Sequence, residues 1–396
     1  MQIRLYYISI SLALFATAIL FSSSPLWAEN ETSVNELYQS HCASCHGEGR
    51  LGLMGPALLP ESLERTPKPL AAKKIRDGAI ATQMPAFKNT LSEEQIAALT
   101  EYIYKPLATL PSWGEKQINS SRVIYHDISQ LPSKPIYQGD ILNIFLAVEL
   151  GDQHVSVIDG DNFSVLHRFS TRPALHGGIK YSPDGRFAYL ASRDGWISIF
   201  DVYNFKTIAE VRAGINTRNI AVSRNGKYLI VGNYLPHTVV ILDALTLNLL
   251  EFLPVASKDG ITSRVSAVYD AGPQQSFVVA LKDVPEMWEI SYRHSPTKTG
   301  SHFFSTRRIA LSNVLDDFFF DDDFKHILGA SRTGECSVIE LASGKLVKKL
   351  KLEGMPHLGS GIMWTYQGKR VMATPNLKQG LISIIDTSTW SIIKNI

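Results

Sequence analysis

The rhythm of apolar and polar positions changes twice along the 396-residue chain. The first 28 residues hold one charge, Arg4, ahead of a mainly apolar run from Leu5 to Phe21. A small-residue, turn-prone tail follows, Ser22-Ser23-Ser24-Pro25-Leu26-Trp27-Ala28. That order predicts a secretory signal peptide over residues 1–28, cleaved after Ala28. Leu26 is larger than the residue favoured there, so an uncleaved anchor is the alternative. Later stretches never reach the 18 apolar residues of a spanning helix, so no membrane span is expected once the signal is removed.

Residues 29–110 read as a small helical domain. Val34-Asn35-Glu36-Leu37-Tyr38 leads helically into His41-Cys42-Ala43-Ser44-Cys45-His46, and Ser92-Glu93-Glu94-Gln95 has the pattern of a capping box. It opens an amphipathic helix with Ile96, Leu99, Tyr102 and Ile103 on one face, stopped near Pro106. A stretch rich in proline and polar residues, 111–139, predicts a linker.

From residue 140 to 396 the apolar period becomes two. Ser182-Pro183-Asp184-Gly185-Arg186-Phe187 recurs as Ser223-Arg224-Asn225-Gly226-Lys227-Tyr228 and, more loosely, as Thr365-Tyr366-Gln367-Gly368-Lys369-Arg370. Apolar runs ending in an acid, at Asp159, Asp201, Asp243, Glu289, Glu340 and Asp386, follow at steps of 42 to 51 residues. A period of about 40–50 residues with four short strands each predicts a β-propeller, here of six blades. A lone four-stranded sheet cannot bury both faces, whereas a ring of them can. The expected fold is therefore α + β multi-domain: a small all-α domain followed by an all-β propeller.

Hydrophobic residues make up 45% of the chain, enough for real cores, which excludes a disordered protein. Lys and Arg number 39 against 37 Asp and Glu, a balance that gives no pull toward nucleic acid. The cysteines are Cys42, Cys45 and Cys336, too few for a disulfide scaffold.

Cys42-Ala43-Ser44-Cys45-His46 is a C-x-x-C-H sequence. Its spacing lets two thiols form thioethers with one haem while His46 binds the iron, so a single covalent haem c is expected, making the helical unit a small all-α class I cytochrome c domain. A zinc site would need two further ligands at suitable spacing. Met84, 38 residues on in Thr82-Gln83-Met84-Pro85, is the expected sixth ligand. Met54 competes, but only eight residues separate it from His46. Cys336 is left as an ordinary strand residue.

In the propeller, His176 and His357 each precede the first strand of a repeat and each is followed by glycines. Paired histidines at equivalent positions raise the odds of metal ligation. Arg172, Arg193, Arg218 and Arg264 stand near strand starts or ends, where guanidinium forks suit ligand carboxylates, although some are expected to pair with nearby acids.

A C-x-x-C-H domain joined to a propeller with Ala174-Leu175-His176, Ser192-Arg193-Asp194-Gly195, Thr217-Arg218-Asn219, Ser263-Arg264-Val265 and Pro356-His357 resembles the cytochrome cd1 family over residues 30–396. The resemblance implies non-covalent haem d1 or its dihydro precursor in the propeller. His176 would be the proximal iron ligand, His357 a distal histidine with a catalytic role, and the arginines would be cofactor-binding residues. It also implies eight blades, of which about six are present here, so the C-terminal blades are expected to be missing. Where the family's nitrite reductase carries a second distal histidine, this chain reads Asn313-Val314-Leu315-Asp316-Asp317-Phe318. It is therefore more similar to the family's biosynthetic branch, the periplasmic dihydro-haem d1 dehydrogenases, which oxidise a propionate to an acrylate. The alternatives are a cytochrome cd1 nitrite reductase with an altered distal pocket, and a non-catalytic electron-transfer or d1-carrier protein. The expected partners are a small soluble periplasmic electron-transfer protein and, as recipient of the product in denitrification, the d1-dependent nitrite reductase.

Overall fold

The computed structural model describes residues 26–396 except 65, 81, 110 and 294–303. The expected signal peptide lies outside the described residues apart from Leu26, Trp27 and Ala28, which begin the first helix. No helix among the described residues is long and apolar enough to cross a membrane.

Five helices form the N-terminal unit: α1 (Leu26–His41), α2 (Ala43–His46), α3 (Pro60–Leu63), α4 (Lys68–Asp77) and α5 (Glu93–Tyr104). Their shared core contains Tyr38, Ile75, Leu91, Ile96, Leu99 and Ile103. The expected capping box is present. Ser92 Oγ accepts from the Gln95 amide at 3.2 Å and the Gln95 side chain accepts from the Ser92 amide at 2.9 Å. Such a cap is worth about 1 kcal/mol. At the other end of α5, the buried Arg50 donates to the Tyr102 and Lys105 carbonyls, satisfying acceptors the helix leaves open.

The segment 111–139, expected as a linker, folds against the propeller. It holds α6 (Glu115–Ser121), whose Ile118 is fully buried in the core between the second and third sheets, and Trp113 Nε1 donates to the Arg212 carbonyl at 2.9 Å. A short strand, Val123–Ile124, then pairs antiparallel with Lys206–Arg212 and covers that sheet's outer edge.

Six antiparallel sheets follow. The first comprises Ile144–Glu149, His154–Asp159 and Ser164–Ser170; the second Lys180–Tyr181, Phe187–Ala191, Trp196–Asp201 and Lys206–Arg212. The third runs Asn216–Val222, Tyr228–Leu235, Thr238–Asp243 and Leu249–Pro254; the fourth Val265–Ala271, Ser276–Leu281, Glu286–Ser291 and Ser305–Ala310. The fifth has Asp317–Phe320, His326–Ala330, Glu335–Glu340 and Leu346–Lys351; the sixth Ile362–Tyr366, Lys369–Pro375, Ile382–Asp386 and Ser391–Asn395. Aligning Asp159 with Asp201 makes the three strands of the first sheet equivalent to strands two to four of the others.

The core is a series of apolar layers between neighbouring sheets. Tyr189 and Ile197 meet Leu229 and Val240; Ile230 and Val239 meet Val279 and Ile290; Val278 and Met287 meet Phe318 and Ile339. Four of the six periodic acids are turn caps. Asp159, Asp201, Asp243 and Asp386 each accept a backbone N–H two residues on, at 2.8–3.0 Å. Four residues past each acid the chain turns through positive φ, at Phe163, Phe205, Leu247 and Trp390. Starts of first strands, ends of second strands and the turns into third strands gather at one mouth of the propeller, and both histidine loops lie there.

Candidate functional site

Helix α1 delivers Cys42 into the single turn of α2, so Cys42, Cys45 and His46 emerge together. His46 is buried, and its Nδ1–H donates to the Pro56 carbonyl at 2.7 Å. A carbonyl only accepts, so that bond fixes the tautomer and leaves the Nε2 lone pair for iron. Burial pushes the imidazolium down, while the Pro56 bond opposes it, so the ring is held neutral. Gly55 is required here, since a Cβ would come within 2.8 Å of His46 Cε1. Met84 packs on the same core cluster as Cys42, whereas Met54 is 47% exposed. These residues fit a covalently bound haem c.

The loop after His46 docks the helical unit onto the propeller mouth. Leu59, fully buried, packs with Ile215 and Leu235. The Ala57 amide donates to Asp194 Oδ1 at 2.9 Å, Arg212 Nη2 to the Leu51 carbonyl at 2.6 Å, and Asn216 Nδ2 to Ser62 Oγ at 3.1 Å. Glu64 reaches farther, accepting from Arg264 Nη1 and Arg332 Nη1, each at 3.2 Å. The haem c loop and the histidine loops therefore share one end of the ring.

His176 is fixed by its amide, which donates to the Ala191 carbonyl at 2.8 Å. Gly177 and Gly178 follow at φ 86° and 70°, backbone that side-chain-bearing residues rarely adopt. The ring Nδ1–H donates to the Arg218 carbonyl at 3.0 Å, so Nε2 again carries the lone pair. Facing it are Arg193 Nη2 at 3.0 Å and Arg218 Nη1 at 3.3 Å.

Arg193 also belongs to a set of cations over one ring. Arg193, Arg264 and Lys282 lie 5.9, 5.4 and 5.3 Å from the Tyr234 centroid. Lys282 Nζ and Arg332 Nε both donate to Asp316 Oδ1, at 2.7 and 2.9 Å. Burial pushes the Asp316 carboxyl up, but Lys282 and then Arg332 outweigh it and hold it down at about 2. Arg218 Nε, the Tyr234 hydroxyl and Arg332 Nη2 are buried donors without a hydrogen-bond partner among the described residues. Such groups are rare unless something else supplies the acceptors. The residues present therefore fit an anionic, acceptor-rich ligand whose metal is reached by His176.

His357 occupies the matching loop before the sixth sheet. Its Nδ1 lies 2.6 Å from Ser360 Oγ and 4.0 Å from Asp317 Oδ2. Asp317 is buried and accepts from the Gly359 amide at 2.7 Å and the Tyr269 hydroxyl at 2.9 Å. Burial, then the Asp317 charge, pushes Tyr269 well above its ordinary value, so it stays protonated. Asp316 and Asp317 thus stand where the sequence lacks a second histidine.

Of the expected cofactor residues, Arg193 and Arg218 meet at His176, and Arg264 joins the group around Tyr234 while its Nε and Nη2 donate to Asp283 at 3.0 and 2.7 Å. Arg172 is among the arginines that pair with an acid, as some were expected to. Its guanidinium stacks 3.8 Å above Trp196 and donates through Nε and Nη2 to Glu210 on the outer strand of the second sheet. The nearly buried Glu210 carboxylate needs that partner, which draws Arg172 away from the mouth. Sequence reasoning missed Glu64, Tyr234, Lys282, Asp316 and Arg332. Cys336 is buried in its strand, as expected.

The family described as Cytochrome D1 heme domain matches residues 139–396. The chain belongs to that family. The family described as Cytochrome C oxidase, cbb3-type, subunit III matches residues 29–103. The chain is 49% identical to dihydro-heme d1 dehydrogenase of Pseudomonas aeruginosa, over 91% of its own length and 72% of that protein. It is 26% identical to nitrite reductase of Stutzerimonas stutzeri, over 95% of its own length and 70% of that protein. Among solved structures it resembles dihydro-heme d1 dehydrogenase NirN in complex with DHE, with a TM-score of 0.83 and 49% identity, covering 91% of this chain and 76% of that one. The family membership agrees with a helical cytochrome unit followed by a propeller.

Proposed function

We propose that this protein is an oxidoreductase that oxidises dihydro-haem d1 to haem d1, turning a propionate side chain into an acrylate. The observation that carries this reading is the mouth itself. The His176 Nε2 lone pair faces Arg193 and Arg218, buried donors on Arg218, Tyr234 and Arg332 lack partners among the described residues, and the haem c loop docks on Asp194, the neighbour of Arg193. The 49% identity to dihydro-heme d1 dehydrogenase supports it over the nitrite reductase reading, for which the identity is 26%.

In this reading His176 holds the substrate's iron, while Arg193, Arg218, Arg264, Lys282 and Arg332 hold its carboxylates. Forming the double bond breaks two C–H bonds and releases two protons and two electrons. His357, backed by the buried Asp317, is the group positioned to accept a proton. Haem c, bound at Cys42, Cys45 and His46, supplies one-electron redox chemistry, so each product requires two successive transfers to an external acceptor. A thioether supplied by Met84 would raise the haem potential and favour that direction. The N-terminal pattern supports a periplasmic location, with a small soluble electron-transfer protein as acceptor and the d1-dependent nitrite reductase as recipient of the product.

The test mixes anaerobic, haem c-loaded protein with dihydro-haem d1 and an electron acceptor. Haem c reduction followed by a product two hydrogens lighter is expected. Ferric haem c that stays oxidised, or nitric oxide release from nitrite with reduced protein, overturns the assignment.

A further inference from the structure

His46 and Asp194 sit on opposite sides of one peptide group. The Pro56 carbonyl accepts from His46 Nδ1 at 2.7 Å, and the amide of the same peptide, on Ala57, donates to Asp194 Oδ1 at 2.9 Å. A negative charge on the amide side polarises the peptide and makes the carbonyl a stronger acceptor, which raises the donor strength of the imidazole toward iron. We propose that Asp194 is a positioning residue for haem c, setting the reduction potential of the iron that His46 binds by acting through the Pro56–Ala57 peptide.

The surroundings fit a tuned carboxyl rather than an ordinary ion pair. Asp194 is 2% exposed, and its Oδ2 has no hydrogen-bond partner among the described residues. Among the described residues no guanidinium hydrogen-bonds its carboxylate: Arg212 Nε donates to the Asp194 backbone carbonyl at 2.8 Å, and Arg212 Nη2 is spent on the Leu51 carbonyl. From the helical unit the facing backbone is that of Gly52 and Ala57, and a Cβ at Gly52 would overlap Asp194 Oδ2. Other charged groups nearby are committed: Arg193 faces His176, Arg172 holds Glu210, and Arg50 caps α5. Burial pushes the Asp194 carboxyl up to about 7, against the opposing pull of the Ala57 amide and the Arg212 charge.

Reduction adds one electron to the iron and makes a nearby carboxylate less favourable, so Asp194 takes up a proton as haem c is reduced. The potential then falls as pH rises through the neutral range. A tenfold difference in proton affinity between the two redox states corresponds to about 59 mV for a one-electron couple. This inference rests on the haem c reading of Cys42–His46 and not on the identity of the propeller ligand.

The experiment is a redox titration of the haem c-loaded full chain, without tetrapyrrole, from about pH 5 to about pH 9. The covalent haem content is measured first, so a failure of the haem c reading shows separately as absent haem. In the wild type the potential is expected to fall with pH, by up to about 59 mV in total. Asp194→Asn keeps an oxygen for the Ala57 amide but removes the charge, and is expected to flatten the profile at the high, acid-limit potential. A wild-type profile flat across that range overturns the proposal without any variant. So does an Asp194→Asn protein that keeps the wild-type slope.

Discussion

Asp316 is the negative centre of the cation group, and replacing it with Asn tests the electrostatics of the mouth. Its carboxyl falls from an ordinary 3.8 to about 2 in the folded chain. At about 1.4 kcal/mol per tenfold change in proton affinity, that fall corresponds to about 2 kcal/mol of folding stability. The side chains of Lys282 and Asp316 are only 7% and 10% exposed, so solvent screens the pair little. Because the folded carboxyl is the stronger acid, this stability is present above pH 3.8 and is lost as pH falls through about 2. Asp316→Asn also leaves Lys282 and Arg332 facing one another, which in buried pairs costs about 3–5 kcal/mol when no other group compensates. Urea unfolding of haem c-loaded protein should therefore show the variant at least about 2 kcal/mol less stable at neutral pH. The gap should close as the pH approaches about 2. The same variant should bind the anionic tetrapyrrole more tightly, by about fivefold, because two cations lose their internal counter-ion. Equal stabilities at neutral pH, or a gap unchanged down to about pH 2.5, would refute the reasoning.

Arg172→Gln should cost about 2 kcal/mol of stability by stranding Glu210, while tetrapyrrole affinity measured by absorbance titration stays within about twofold of wild type. Arg193→Gln should show the reverse pattern, with affinity weakened about tenfold and stability little changed. Met84→Ala should abolish the methionine-to-ferric-iron charge-transfer band and lower the haem potential while haem remains attached. Met54→Ala should leave both as they are, which ultraviolet–visible spectra and a redox titration will check.

The fold was legible because its punctuation is chemical. Asp159, Asp201, Asp243 and Asp386 each cap the turn after a third strand, and the Ser-Pro-Asp-Gly and Ser-Arg-Asn-Gly turns hold Ser182 and Ser223 on the amides of Phe187 and Tyr228. Ile118 gives no sequence signal, because one apolar residue in a short polar helix has no period to read. At the site, Cys42, Cys45 and His46 follow from spacing alone. Arg332 does have a signal in the sequence: Ser331-Arg332-Thr333-Gly334 repeats the pattern of Ser192-Arg193-Asp194-Gly195. Tyr234, Lys282 and Asp316 come from three different sheets and meet only once the ring is assembled, so no local pattern announces them. Arg172 misled for the same reason, since Trp196 and Glu210 reach it from the next sheet.

The account depends on the His176 imidazole ligating a removable tetrapyrrole within electron-transfer reach of haem c. Anaerobic addition of dihydro-haem d1 to wild-type and His176→Ala proteins, both fully loaded with haem c, tests this in one set of spectra. The wild type should bind one equivalent with a shift of the tetrapyrrole bands to those of a histidine-ligated iron, followed by the ferrous spectrum of haem c. His176→Ala should show neither. Identical band shifts and identical haem c reduction in the two proteins would contradict it.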